Sequence, residues 1–234
     1  MTPVPATSLQ VRGRGHDGRE VVAFVLEHGA DPVRELGRRG WGGARLLDAL
    51  RHGDGSLTLD YAVQPVEPVE VPSAQVPTDP GLVLEPGEVP EVHQRTAAYG
   101  VVTSERGVLL TELSALTSAP GRWTLPGGGL DPGEEPVAAL HREVWEESGH
   151  QVQGVRLLEA HTSHWVGRAP SGRLEDFHAV RIVYAAWCPQ PTDPVVHDIG
   201  GSTESVRWVR VEELGRYHLG RSFGPHMSRW LGRS

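Results

Sequence analysis

The sequence predicts an α/β fold: a sandwich on a mixed sheet, preceded by a small α+β module. Three observations predict it. Apolar runs of strand length recur through the second half of the chain. One strongly helical segment, Pro136 to Gly149, interrupts them. A proline-punctuated stretch separates both from the first 68 residues.

Within residues 1–68, Leu9 to Val11 and Val21 to Leu26 are strand-like, with Gly13, Gly15 and Gly18 between them. Asp31-Pro32 signals a helix start, because Asp caps free N–H groups and Pro suits the first turn. That helix is expected to reach Arg39 and stop at Gly40. Leu57, Leu59, Tyr61 and Val63 alternate with Thr58, Asp60 and Ala62, the period of a half-buried strand. Seven prolines from Pro65 to Pro90 deny helix and central strand their donors, so 69–93 reads as an extended, semi-rigid linker. The second domain is expected over 94–234. Its strands are Tyr99 to Thr103 and Val108 to Thr111 around a turn, then Val155 to Ala160, Ala179 to Trp187 and Ser205 to Val211, with a last helix over Pro225 to Leu231.

The chain has 234 residues, 38% hydrophobic and 22% charged, enough for a sizeable core. No apolar stretch approaches the roughly 18 residues of a membrane span, and Met1 to Gln10 carries no basic, apolar leader pattern. The single cysteine, Cys188, excludes an internal disulfide and reads as a small core hydrophobe. A cytoplasmic protein is expected. A net charge of −8 disfavours a grip on nucleic acid, and suits a small anionic ligand held with metal ions. The chain has no Lys, so every permanently charged side-chain cation is Arg.

Chemistry concentrates between Leu125 and Gly149. Gly127-Gly128-Gly129 forms a loop whose backbone can approach a ligand closely. Pro136 suits a first helical turn and Gly149 the position after the last. On the helix between them, Glu143, Glu146 and Glu147 stand at i, i+3 and i+4 and share a face. Ala139, Leu140 and Val144 lie on a different, apolar face. Three carboxylates on one face repel unless paired, and a hard divalent cation with oxygen ligands removes the conflict. A solvated acidic face is the plain alternative, and on the helix alone the two readings are even.

The full spacing decides between them. Gly128 is followed by five residues and Glu134, and seven residues later by Arg142-Glu143, aliphatic Val144, Glu146-Glu147 and Gly149. Seven fixed positions, each matched roughly once in fifteen by average usage, coincide about once in 10⁸ windows. This segment resembles the Nudix box of the Nudix hydrolases. One position departs: the last, usually aliphatic, is His150, and Val152 is expected to take over its packing. The resemblance implies a Nudix-type α/β/α sandwich and Mg²⁺, with Mn²⁺ as substitute. It implies that Glu146, Glu147 and the Gly127 carbonyl ligate the metal, and that Glu143 is a ligand or the general base. It implies that Arg142 orients the glutamates, and that Gly128, Glu134 and Gly149 support loop and helix. A further acid from outside the box often serves as ligand or base. Glu204, Glu175 and Asp176 are the candidates, with Glu204 the second choice after Glu143.

Substrate is expected to be a nucleoside diphosphate derivative. Nucleoside triphosphates, oxidised ones included, stand ahead of nucleotide sugars, because three subgroup markers are unmet. The ADP-ribose group has a Pro where Trp165-Val166 stands. The diadenosine polyphosphate group has a Tyr near Gly167-Arg168. The coenzyme A group has an Arg where Glu112-Leu113 follows Leu109-Leu110-Thr111. Trp123, Trp165 and Phe177 could stack on a base, with core packing the competing role. His164 is a candidate substrate contact, and a metal role for His161 and His164 is weaker, since their spacing fits no zinc signature. A non-catalytic nucleotide-sensing module is the alternative function, disfavoured by the intact box. Isomerase chemistry on a prenyl diphosphate ranks lower, because Cys188 is late in the chain. The N-terminal module carries no catalytic constellation, and is expected to pack on the larger domain or on a second copy in a homodimer.

Overall fold

The computed structural model describes residues 8–70, 75–117, 119–198, 200–220 and 222–232. Residues up to 7, read as lacking a leader pattern, and Pro72 of the expected linker lie outside the described residues. Two compact units are formed. Unit 1 comprises 1–96, 132–135 and 159–182; unit 2 comprises 97–131, 136–158 and 183–234.

Unit 1 begins with strands β1 (Leu9–Arg14) and β2 (Glu20–Val25), helix α1 (Pro32–Arg38), and strands β3 (Trp41–Arg51) and β4 (Leu57–Pro65). They form a four-stranded sheet in the order β2-β1-β4-β3. β1 runs parallel to β4 and antiparallel to β2, and β3 runs antiparallel to β4, so the sheet is mixed. Asp31 caps α1 as its residue type predicts, accepting from the Arg34 backbone N–H at 2.9 Å. Leu57, Leu59, Tyr61 and Val63 are buried, but so are Thr58 and Asp60. β4 is central, with neighbours on both edges, and its second face is covered too. Asp60 tolerates burial because Arg14 donates to it at 2.8 Å. β3 has no counterpart among the expected strands. Ala, Leu and Arg favour helix, and bulges at Gly42/Arg45 and Leu46/Asp48 break its alternation, so pairing with β4 overrides both cues.

Among the described residues between Pro65 and Pro90 no helix forms, because proline removes the donors. The segment is tied within unit 1 by a bridge from Thr78 to Val166 and by Glu88, which accepts two hydrogen bonds from the Arg168 guanidinium at 2.8 and 2.7 Å.

The remaining strands are β5 (Glu91–Ser104), β6 (Gly107–Leu113), β7 (Trp123–Thr124), β8 (Gly127–Gly129), β9 (Gln153–Arg168), β10 (Leu174–Trp187) and β11 (Thr203–Val209), with helix α2 (Pro136–Ser148) between β8 and β9. The sheet order is β11-β6-β5-β10-β9, with β7 on β6 and β8 on β5. β9 and β10 outrun the expected apolar runs, because their extended ends carry polar residues such as His164 and Asp176. The expected last helix is shorter: a 3-10 turn, Gly224–His226, leads into α3 (Met227–Trp230).

Within unit 2 the β5 pleat separates two layers. Val101 joins Leu110, Leu125, Phe223 and Met227 in one cluster, under the C-terminal helix. Gly100, pointing the opposite way, lies under Leu140 of α2, where a Cβ would come within 2.8 Å of the Leu140 Cδ1. Ala139, Leu140 and Val144 are fully buried, so α2 is held by its apolar face and presents its glutamates away from it.

Candidate active site

β8 pairs antiparallel with β5, placing Gly127 opposite Tyr99, Gly128 opposite Ala98 and Gly129 opposite Ala97. Gly127 has φ of 143°, and a Cβ there would run into the Ala98 carbonyl and lie 2.7 Å from the Tyr99 Cα. Only glycine fits. At Gly128 a Cβ would instead meet the Glu143 carboxylate, so the strand backbone and the helix carboxylate are in direct apposition.

Glu147 is buried, 4% exposed. Its Oε2 accepts the Gly127 backbone N–H at 2.9 Å and its Oε1 accepts the Thr203 hydroxyl at 2.5 Å. Burial pushes its carboxyl up to about 8, with the charges of Glu143 and Asp198 adding to the rise and the hydrogen bonds from Thr203 and Gly127 opposing it. Burial and like charge both oppose its ionised form unless a cation approaches. Arg142 is committed elsewhere. Its Nη1 donates to Glu143 Oε1 at 2.8 Å and to Glu146 Oε2 at 3.1 Å, and its Nη2 donates to the Gly129 carbonyl at 2.9 Å. One guanidinium thus ties helix to strand and aligns two carboxylates. Three carboxylates beside one arginine form an oxygen-rich donor set that fits a hard divalent cation.

The helix ends as its sequence predicts. Gly149 takes φ of 71° and its N–H returns to the Trp145 carbonyl at 2.8 Å. His150 is buried edge-on to Trp208, its rings 5.2 Å apart, so an imidazole fills the usually aliphatic position. Val152 is buried as well. Glu134 lies half-buried in the loop before α2.

Glu204 is exposed on β11, at a register shift between Thr203 and Ser205. The inward residue at this point is Thr203, which sequence reasoning missed because a hydroxyl carries no metal-ligand signal. Asp198 was also missed; it sits in an irregular segment where the His197 and Asp198 backbone N–H groups meet the Glu146 carbonyl at 2.7 and 3.1 Å. Trp123 packs on the unit 2 core, edge-on to Tyr217 at 5.1 Å. The other aromatic candidates belong to unit 1. Trp165 and Phe177 pack against each other at 4.6 Å, and Phe177 stacks on His93. His164 and Asp176 bond to each other, and Glu175 is buried and paired with Arg173. Cys188 is buried, its thiol pushed up by burial.

The family model of the NUDIX domain matches residues 93–231. Among curated relatives, the nucleoside triphosphatase NudI of Klebsiella pneumoniae (strain 342) is 29% identical over 136 residues, covering 55% of this chain and 90% of that protein. NudI of Salmonella schwarzengrund (strain CVM19633) gives the same identity and the same shares. Among solved structures, a NUDIX hydrolase from Nitrosomonas europaea is 21% identical, with TM-score 0.45, covering 59% of this chain and 89% of that one. The NUDIX domain of Shewanella oneidensis NrtR, complexed with ADP ribose, is 19% identical, with TM-score 0.47, covering 59% and 87%.

Proposed function

This chain belongs to the Nudix hydrolase family, and from that premise we propose that it is a Mg²⁺-dependent enzyme cleaving a pyrophosphate linkage in a nucleoside diphosphate derivative, with nucleoside triphosphates, oxidised ones included, ahead of nucleotide sugars. The observation that carries the reading is the pair of carboxylates, Glu143 and Glu146, held by Arg142, with the Glu147 carboxylate of the same helix bonded to the Gly127 backbone N–H. The name of the two NudI relatives supports the triphosphate preference. The non-catalytic alternative is disfavoured because every charged box residue is present.

Glu146, Glu147, Glu143 and the Gly127 carbonyl are the groups to hold the metal. When bound, Mg²⁺ supplies Lewis-acid neutralisation of the diphosphate oxygens, and Mn²⁺ can replace it. Arg142 keeps the Glu143 and Glu146 carboxylates from swinging away. Glu143, beside the glycine strand, takes the proton of the attacking water. The water oxygen forms a bond to phosphorus as the bridging P–O bond breaks, and the leaving phosphate carries the bridging oxygen away. Glu204, exposed beside Thr203, is the second candidate for the base. Hydrolysis in ¹⁸O-labelled water tests the scheme: label in one phosphate product is expected, and label only in a product of carbon–oxygen cleavage contradicts it.

A further inference from the structure

Unit 1 holds a second group of ligand-type side chains, unlike the glutamates in chemistry. His28 lies in the loop between β2 and α1, His164 on β9 and Asp176 on β10. Asp176 Oδ1 stands 2.5 Å from His164 Nε2 and 3.2 Å from His28 Nε2, so two imidazoles converge on one oxygen. The three candidate ligand atoms lie within 4.8 Å of one another. The rings are nearly perpendicular, with centroids 5.0 Å apart, which aims both nitrogens inward without stacking.

The surroundings keep the group together. Gly29 has φ of 75°, and a Cβ there would overlap the His164 ring, so the loop carrying His28 lies directly on the second histidine. Thr162, two residues from His164, donates to Asp31 at 3.0 Å and anchors the other end of the same loop. His178 is fully buried beneath, its ring 5.4 Å from that of His28 and its Nδ1 within 2.9 Å of Gln94 Oε1. His28 Nδ1 is buried without a hydrogen-bond partner among the described residues. Above the group opens a cavity of about 460 Å³, lined by His28 and His164 and also by Asp31, Arg34 and Arg38.

We propose that His28, His164 and Asp176 form a binding site for one first-row transition cation, Zn²⁺ class, with its remaining coordination position open to this cavity. Two imidazoles and one carboxylate suit such an ion, whereas Mg²⁺ takes oxygen ligands and dehydrates reluctantly. The site therefore differs in metal preference from the glutamate cluster, and the two are separable in solution.

The test uses the full chain in excess Mg²⁺, which saturates the oxygen ligands. Equilibrium dialysis against Zn²⁺ is expected to leave about one equivalent bound per chain. His164→Gln and Asp176→Asn should each weaken retention by at least about 10- to 100-fold, the range that loss of even an outer-shell partner costs. Glu146→Gln should leave it unchanged. Co²⁺ added to the unaltered protein in the same buffer should give visible absorption bands of a nitrogen-ligated site, abolished by Zn²⁺, a readout that does not depend on any variant folding. No retained zinc and no cobalt bands would overturn the proposal, as would equal retention by the parent and both folded variants. Either outcome would mean that the three side chains are only a hydrogen-bonded brace, and would leave the hydrolase reading untouched.

Discussion

Replacing Gly128 by alanine separates the position of Glu143 from the stability of the fold. The φ of Gly128 is not in the left-handed region, so an alanine backbone is permitted there. The three atoms nearest an added methyl all belong to the Glu143 carboxylate, whose Cδ would lie 2.6 Å away. Carbon contacts are comfortable from about 3.5 Å, so the carboxylate must retreat by about 1 Å. A misplacement of about 1 Å in a reacting group costs about 10² in rate, or about 2.7 kcal/mol of activation free energy. The carboxylate ends a flexible side chain, so the stability cost should stay below about 1 kcal/mol. Gly127→Ala is the contrast. Its Cβ meets the Ala98 carbonyl and the Tyr99 Cα, backbone that cannot retreat, at φ of 143°, and about 1 to 3 kcal/mol of stability should be lost. The assay pairs steady-state kinetics on a nucleoside triphosphate with urea denaturation of both variants. Gly128→Ala with parental kcat, or with a stability loss equal to that of Gly127→Ala, would refute the reasoning.

Glu143→Gln should lose about 10² to 10⁴ in kcat, the range for an acid–base group, and parental kcat would pass the role to Glu204. Glu147→Gln keeps an acceptor for Gly127 N–H and offers an amide to Thr203, so the metal-free variant should melt within about 3 °C of the parent while losing activity; unfolding instead would show that the charge itself holds the helix. Burial lowers the tendency of His150 to protonate, against the ordinary 6.5. Above about pH 6.5 it is neutral in folded and unfolded chains alike, and below that the unfolded chain gains a proton more readily, so folding weakens as pH falls. His150→Leu should flatten that acid-side loss in a pH series of melts, and an unchanged slope would locate it elsewhere. A chain starting at Glu91 should lose stability in melts and change its sedimentation if residues 1–90 mediate a dimer, since it strips His28 from Asp176, Asp31 from Thr162 and Glu88 from Arg168. Identical melting and sedimentation would show that the first 90 residues serve another purpose.

The glutamate helix was legible because its spacing is set by a turn of 3.6 residues and bounded by Pro136 and Gly149, both local signals. The glycine strand reads as a loop in sequence, because its pairing with Ala97 to Tyr99 depends on residues about 30 positions away. β3 stayed hidden for a related reason: helix-forming residues and two bulges conceal a strand that exists through its neighbour. Alternation identified β4, yet it missed the burial of Asp60, which Arg14 makes tolerable from another strand. At the site, the carboxylates are visible in the sequence, while Thr203, which fixes the buried Glu147, carries no charge and no motif. His164 and Asp176 each stand out singly in the sequence, and the meeting of Asp176 with His28 across 148 residues of chain has no signature in one dimension.

Metal-dependent pyrophosphate hydrolysis by the Glu143, Glu146 and Glu147 cluster is the core of the proposed function. Phosphorus NMR of a nucleoside triphosphate incubated with the full chain tests it most directly, run with Mg²⁺, with Mg²⁺ plus excess chelator, and with Glu146→Gln. Conversion to a shorter nucleotide and phosphate or pyrophosphate is expected in the first sample only, and full turnover in excess chelator, or undiminished turnover by the variant, would contradict the proposed function.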